Sequence, residues 1–158
     1  MPDESPALEV AVEKLYARTA GHISPGLDVI QALLRQFGNP ERSYPTIHVA
    51  GTNGKGSVCA IIESVLTEMG VRVGLFTSPH LVRFNERFRI ERKDIDDAPL
   101  LELIQEVEGK SPEIATECGR EPTFFEISTS DLPVSDRTIC SLSSDNNFRF
   151  VSPIVYFF

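Results

Sequence analysis

Residues 51–57 read Gly51-Thr52-Asn53-Gly54-Lys55-Gly56-Ser57, with three glycines, one lysine and two hydroxyls in seven positions. Glycines let a backbone curl so that successive N–H groups point into one concavity. Lys55 adds a full positive charge suited to the β- and γ-phosphates of a nucleotide, and Ser57 can donate to a phosphate oxygen or help hold Mg²⁺. A helix opening at this point would aim roughly half a positive charge at the same spot. The chemistry is that of ATP recognition, with Lys55 as the residue that carries the reaction. The usual Walker A spacing is not met, because Val49 stands where its first glycine would be and Gly56 where its Ser or Thr would be. The competing reading is a glycine-rich turn with a solvated lysine.

The flanking elements favour the phosphate loop. Thr46-Ile47-His48-Val49-Ala50 is short and β-branched and reads as a buried strand. From Ser57 the pattern is helical, with Val58, Ile61, Ile62, Val65, Leu66 and Met69, stopped by Gly70. Val71–Phe76 reads as a second strand. A β-loop-α-β unit of this kind has parallel strands joined by a right-handed crossover. His48 reads as a strand histidine with no role in chemistry.

The remaining elements follow from periodicity and caps. Leu8, Val12, Leu15 and Tyr16 place an amphipathic helix over 7–18. Ser24-Pro25 starts a second helix, with the stripe Leu27, Ile30, Leu34 and Phe37, and Gly38 and Pro40 end it. Thr77–Glu86 is a loop and Arg87–Ile90 a short strand. Asp96–Glu108 is a helix with Leu100, Leu103, Ile104 and Val107 inward. Thr123-Phe124-Phe125-Glu126 opens another helix with a capping box. After it, Ser128-Thr129-Ser130-Asp131-Leu132-Pro133 breaks the pattern. Serines recur through 130–144, and Val151–Phe158 is apolar and β-prone.

Composition narrows the class. The chain has 158 residues, 41% of them hydrophobic, with ten Phe and no Trp, enough for a globular core. Its net charge of -8 argues against a nucleic-acid partner, which needs clustered Lys and Arg. Cys59, Cys118 and Cys140 are odd in number and lack CxxC spacing, as unpaired thiols in a reducing cytosol would be. No basic-then-apolar leader opens the sequence, and no run approaches the roughly 18 apolar residues of a membrane span. The expected location is cytoplasmic, with no membrane partner.

Taken together, Ile47–Ser57, Gly74-Leu75-Phe76-Thr77-Ser78-Pro79-His80-Leu81, Arg83–Phe88 and Thr123–Glu126 resemble the signatures of the folylpolyglutamate synthase and dihydrofolate synthase family, within the Mur-ligase group. The likeness covers about residues 8–129, and Gly38-Asn39-Pro40 and Pro25–Asp28 fit it. It implies an α/β fold: a P-loop-type parallel sheet flanked by helices, a Mur-ligase-like ATP-binding domain, here incomplete. The implied activity is ATP-dependent ligation of L-glutamate to dihydropteroate or reduced folate. The folate carboxylate takes the γ-phosphoryl group, and the glutamate amine attacks the acyl phosphate.

Carried over by position, the resemblance puts Gly51 to Ser57 on ATP and puts Ser78 and Glu126 on Mg²⁺. It places Pro79, His80, Arg83 and Arg87 beside the pterin substrate, on a loop these enzymes fold over it. Parallel strands would send the loops after 50 and 76 to the same sheet edge, which supports Ser78 independently. Ser78 also reads as a turn hydroxyl, and Glu126 as the capping-box acid alone.

Residues 1–129 then form the N-terminal part of the ATP-binding central domain. Residues 130–158 are an atypical tail suggesting a frameshift, and the C-terminal glutamate-binding domain is absent. Such a fragment would be inactive, while the full-length enzyme would be a monomer. The alternatives are an ATP-binding module without chemistry, or another P-loop phosphotransferase such as a kinase. The Thr77–His80 loop and the Arg83–Phe88 run argue against the kinase.

Overall fold

The computed structural model describes residues 5–18, 26–128 and 154–157. Its elements in chain order are α1 (Pro6–Ala17), α2 (Asp28–Gln36), β1 (Thr46–Val49), α3 (Lys55–Glu68), β2 (Gly74–Phe76), β3 (Phe88–Ile90), β4 (Lys93–Asp94), α4 (Asp97–Cys118), a short helix α5 over 124–128, and β5 (Ile154–Phe157). Contacts divide them into two compact units. The first comprises the residues up to Glu41 and those from Asp97, and the second comprises Arg42–Asp96 with β5.

The first unit is helical. Leu8, Val12 and Leu15 of α1 are buried, as the helical stripe requires, while Tyr16 turns outward and stacks on Phe124 at 4.6 Å. Ser5 caps α1, its Oγ accepting from the Leu8 N–H at 3.3 Å, and its own N–H donates to Asp97 at 2.7 Å, tying the starts of α1 and α4 together. In α2 the stripe is rotated from the expected one. Val29, Ala32, Leu33 and Phe37 are buried, and Leu27 is exposed. Leu27 sits ahead of the first helical residue, Asp28, so it lies off the helix face that meets α4. The proposed start at Ser24-Pro25 lies outside the described residues. The expected end holds: the Asn39 N–H reaches back to the Leu34 carbonyl at 2.7 Å, and Gly38 and Asn39 both adopt positive φ.

Helix α4 buries Leu100, Leu103, Ile104 and Val107 as read from the sequence, but it continues ten residues past the expected stop at Glu108. Gly109 and Pro112 suggest an end there, yet burial of Ser111 and Ile114 continues the inward face and overrides that local preference.

The second unit is a mixed sheet in the order β1-β5-β2-β3-β4. Strands β1 and β2 are parallel, as expected, but they are not neighbours, because β5 pairs in parallel with both. Val151–Phe158 reads as β-prone, and its described part, β5, lies second in the sheet, between β1 and β2. Strands β3 and β4 extend the other side in antiparallel fashion.

Helix α3 covers one face through a core of Cys59, Val73 and Leu75, with Ile47, Val49, Ile62, Leu66 and Val71 against it. Strand β1 is not buried as the sequence suggested; its residues alternate between exposed and half-buried. It lies at the end of the described strand order, and only its Ile47 and Val49 side reaches α3. Phe76, Phe84 and Phe88 are buried together, Phe88 lying 5.3 Å from Phe76 and 5.6 Å from Phe84. Glu63 of α3 is also buried and meets Arg89 of β3 at 3.3 Å.

Candidate functional site

The glycine-rich loop leaves the carboxyl end of β1 and enters α3 two residues sooner than its sequence indicated. Lys55, rather than Ser57, is the first helical residue, and Gly54 caps it at φ 75. That left-handed conformation costs a residue with a Cβ roughly 1–2 kcal/mol, which explains glycine here. The first helical bond runs from the Val58 N–H to the Gly54 carbonyl at 3.0 Å. The N–H groups of Gly56 and Ser57 therefore precede the intrahelical ladder, and they lie on exposed residues. Lys55 Nζ donates to the Thr52 carbonyl at 3.1 Å, folding the lysine back over Thr52 and Asn53. The N-terminal N–H groups of α3, the positive end of its dipole and the Lys55 ammonium thus lie on one loop, the elements from which helix N-termini bind phosphate.

Strand β2 delivers the second loop. Val49 pairs with Phe157 and Phe76 with Tyr156, so the last residues of β1 and β2 flank adjacent positions of β5. Two strand spacings separate them by about 10 Å, and the loops that follow them leave the same sheet edge.

The loop from Thr77 to Arg87 is closed at its base. The Thr77 N–H donates to the Arg87 carbonyl at 3.0 Å, and Thr77 Oγ1 donates to the Glu86 carbonyl at 3.2 Å. Glu86 accepts three successive backbone N–H groups, from Leu81 at 2.7 Å, Val82 at 3.0 Å and Arg83 at 2.9 Å. Those bonds, led by the one from Leu81, hold its carboxyl below the ordinary value. Leu81 and Val82 project into solvent at the tip, and Pro79 is exposed beside them.

Arg87 is buried and reaches back across the loop. Its Nε donates to His80 Nδ1 at 2.9 Å and its Nη1 to Ser78 Oγ at 3.0 Å. Ser78, His80 and Arg87 are therefore brought together, and Arg83 stands at the start of the 3-10 turn Phe84–Arg87.

Glu126 belongs to the other unit, at the start of α5. Its Oε2 accepts from the Thr123 N–H and hydroxyl, both at 2.9 Å, and the Glu126 N–H returns to Thr123 Oγ1 at 3.4 Å, completing the capping box. Arg120 adds a two-pronged ion pair that the sequence reading missed. Burial pushes the Glu126 carboxyl up, but the bonds from Arg120 and Thr123 outweigh it and leave it below the ordinary value. Arg120 also stands 3.6 Å from Asp28. Glu86 was likewise missed as the loop's internal anchor. A signal existed in its position three residues after Arg83, the spacing at which an acid reaches back to a turn's own N–H groups.

Magnesium calls for hard oxygen donors and usually keeps several waters and phosphate oxygens. Ser78 fits: one lone pair accepts from Arg87, and the second remains for an ion. Glu126 fits less openly, since Oε2 is filled by Arg120 and Thr123, and Oε1 has one direction beyond its bond from Arg120. Among the described residues, no three His, Cys, Asp or Glu side chains converge as a metal cluster. Among the same residues, no helix is long and apolar enough to cross a membrane.

The second unit is an α/β unit with a glycine-rich loop between a strand and a helix, the context that a phosphate-binding loop requires. No family model matches the chain. It is 40% identical over 116 residues to the dihydrofolate synthase/folylpolyglutamate synthase of Bacillus subtilis, covering 73% of this chain and 27% of the relative. The folylpolyglutamate synthase structure from Thermotoga maritima superposes with a TM-score of 0.76 at 33% identity, over 95% of this chain and 32% of the other. The Mycobacterium tuberculosis folylpolyglutamate synthase, solved with ADP and AMPPCP, gives a TM-score of 0.76 at 30% identity, over 95% and 31%. Over the matched residues the chain belongs with the folylpolyglutamate synthase/dihydrofolate synthase family, and it spans about a quarter of the length of the Bacillus relative.

Proposed function

We propose that this chain supplies the ATP-binding part of a cytoplasmic ligase that joins L-glutamate to dihydropteroate or reduced folate. The observation that carries the reading is the glycine-rich turn through Gly54, Lys55, Gly56 and Ser57, where α3 opens just after β1, on a chain whose sequence belongs with that family. That the similar Mycobacterium protein was solved with ADP and AMPPCP supports an adenine nucleotide as the ligand. In this reading residues 1–129 form the N-terminal part of a Mur-ligase-like, P-loop-type ATP-binding domain. The whole enzyme acts as a monomer on small molecules.

The residues divide the work as follows. Gly51, Thr52, Asn53, Gly54, Gly56 and Ser57 wrap the phosphates with backbone N–H groups and two hydroxyls. Lys55 leaves Thr52 to meet the β- and γ-phosphates, where it offsets the charge that builds as the γ-phosphoryl group passes to the substrate carboxylate. Ser78 and Glu126 would hold Mg²⁺, which would neutralise phosphate charge. Pro79, His80, Arg83 and Arg87 line the substrate side, and the exposed Leu81 and Val82 at the loop tip exclude water from the acyl phosphate.

The test is nucleotide titration by calorimetry, using AMPPCP with Mg²⁺ against the chain and its Lys55→Ala variant. Loss of one charged phosphate contact costs about 1.5–3 kcal/mol, so affinity should fall at least tenfold. Equal affinity in the two proteins would remove Lys55 from the site. In the full-length enzyme supplied with ATP, dihydropteroate and glutamate, nucleotide binding without phosphate release would favour a nucleotide-binding module over a ligase.

A further inference from the structure

Two adjacent residues, Glu86 and Arg87, organise the loop that follows β2. Glu86 grips the backbone of its tip, and Arg87 grips the side chains of its first arm. The second grip has a chemical consequence. A guanidinium carries donors only and does not lose its proton in proteins. At 2.9 Å from Arg87 Nε, His80 Nδ1 must therefore be the acceptor, and its lone pair is committed to that bond. The proton of the neutral imidazole then sits on Nε2. Arg87 is 6% exposed, so water competes little for the bond. Phe84 buttresses both partners: the His80 ring meets it edge-on at 5.8 Å, and the Arg87 guanidinium carbon lies 5.5 Å from the ring centroid. The second arm of the fork fixes Ser78 in the same way, so its hydroxyl proton points away from Arg87.

We infer that Arg87 is a positioning residue that fixes His80 as a hydrogen-bond donor through Nε2. The loop thereby offers the folate-like substrate a donor for one of its oxygen or ring-nitrogen acceptors, and His80 serves neither as a base nor as a metal ligand. The substrate half of this inference rests on the ligase reading; the tautomer does not.

The test is nitrogen NMR of the chain labelled with ¹⁵N-histidine, at a pH above the imidazole range, with the His80 signals identified by their loss in His80→Gln. Wild type should show a pyridine-like Nδ1 and a pyrrole-like Nε2–H. Arg87→Ala should lose that preference and move both signals toward a mixture of tautomers. Ser78→Ala, which removes only the other acceptor of the fork, should leave them in place. Should Arg87→Ala fail to fold, wild type and Arg87→Met decide, because a thioether side chain of similar length has no donor for Nδ1 and the preference should be lost. A wild-type His80 protonated at Nδ1, or an unchanged tautomer in the arginine variants, would overturn the assignment. Addition of dihydropteroate should move the Nε2 signal. An intact tautomer that ignores saturating dihydropteroate would overturn the donor role toward substrate while leaving the nucleotide reading of residues 51–57 standing.

Discussion

Arg120 holds Glu126 with both terminal nitrogens, at 2.9 Å and 2.7 Å from its two carboxylate oxygens. With Thr123 donating twice to the same carboxylate, Glu126 serves the helix start before any ion reaches it. The two uses are compatible only in part, because Mg²⁺ and the guanidinium seek the same oxygens. Sequence spacing identified the capping box but gave no sign of Arg120, which lies in the connection before it.

The pair can be separated by substitution. Arg120→Ala leaves a nearly buried carboxylate with Thr123 alone and should destabilise the helical unit by about 1.5–3 kcal/mol, read as a lower urea midpoint. Glu126→Gln keeps an acceptor for the cap and should cost less. If Glu126 also serves Mg²⁺, then Glu126→Gln should weaken the magnesium dependence of AMPPCP binding, whereas Arg120→Ala should not. Equal magnesium dependence in all three proteins would leave Glu126 with the cap alone.

Acid should loosen the loop after β2. The Glu86 carboxyl lies below its ordinary value because backbone N–H groups, Leu81 first, favour the charged form. A folded pKa below the unfolded one means that the unfolded chain takes up the proton first. Glu86 thus contributes its full stabilisation above the unfolded value of about 4.3 and loses it as pH falls through the lower folded value. The amide signals of Leu81, Val82 and Arg83 should shift together in that acid window and not above it, and Glu86→Gln should abolish the transition. A midpoint at or above the ordinary glutamate value would contradict the three-bond anchor.

What could be read from the residues was local. The glycine-rich turn before α3, the capping box at Thr123 and Glu126, and the inward stripe of α4 each depend on residues a few positions apart; the box and the stripe stand where the pattern put them, and α3 opens two residues earlier than read. What escaped depends on partners brought together by the chain's path. The rotation of α2 follows from which face meets α4. The placing of β5 between β1 and β2 joins residues more than a hundred apart. Burial of Glu63 against Arg89 couples a helix to a strand across the sheet face, where helical periodicity shows only a polar residue among apolar ones. The forks of Arg87 and Arg120 belong to the same kind, since an arginine in a loop carries no pattern that names its acceptors.

The glycines of the phosphate loop are not equivalent, and the difference separates binding from stability. Gly54 stands at φ 75 with open space around it, so Gly54→Ala meets no clash but bears the roughly 1–2 kcal/mol cost of the left-handed conformation. Gly56 lies within the first turn of α3, also in open space and without a positive φ. Alanine is the better helix residue there, so Gly56→Ala should stabilise the chain by about 0.5–1 kcal/mol. A phosphate seated on the N–H groups of Gly56 and Ser57 would nevertheless meet the added methyl group, and AMPPCP affinity should fall. The expected result is a variant that melts later and binds nucleotide less well, measured by thermal denaturation and calorimetry on the same preparation. If Gly56→Ala gains stability and keeps its affinity, the phosphates do not approach α3 at this residue, and the site must be drawn nearer Gly51 and Thr52.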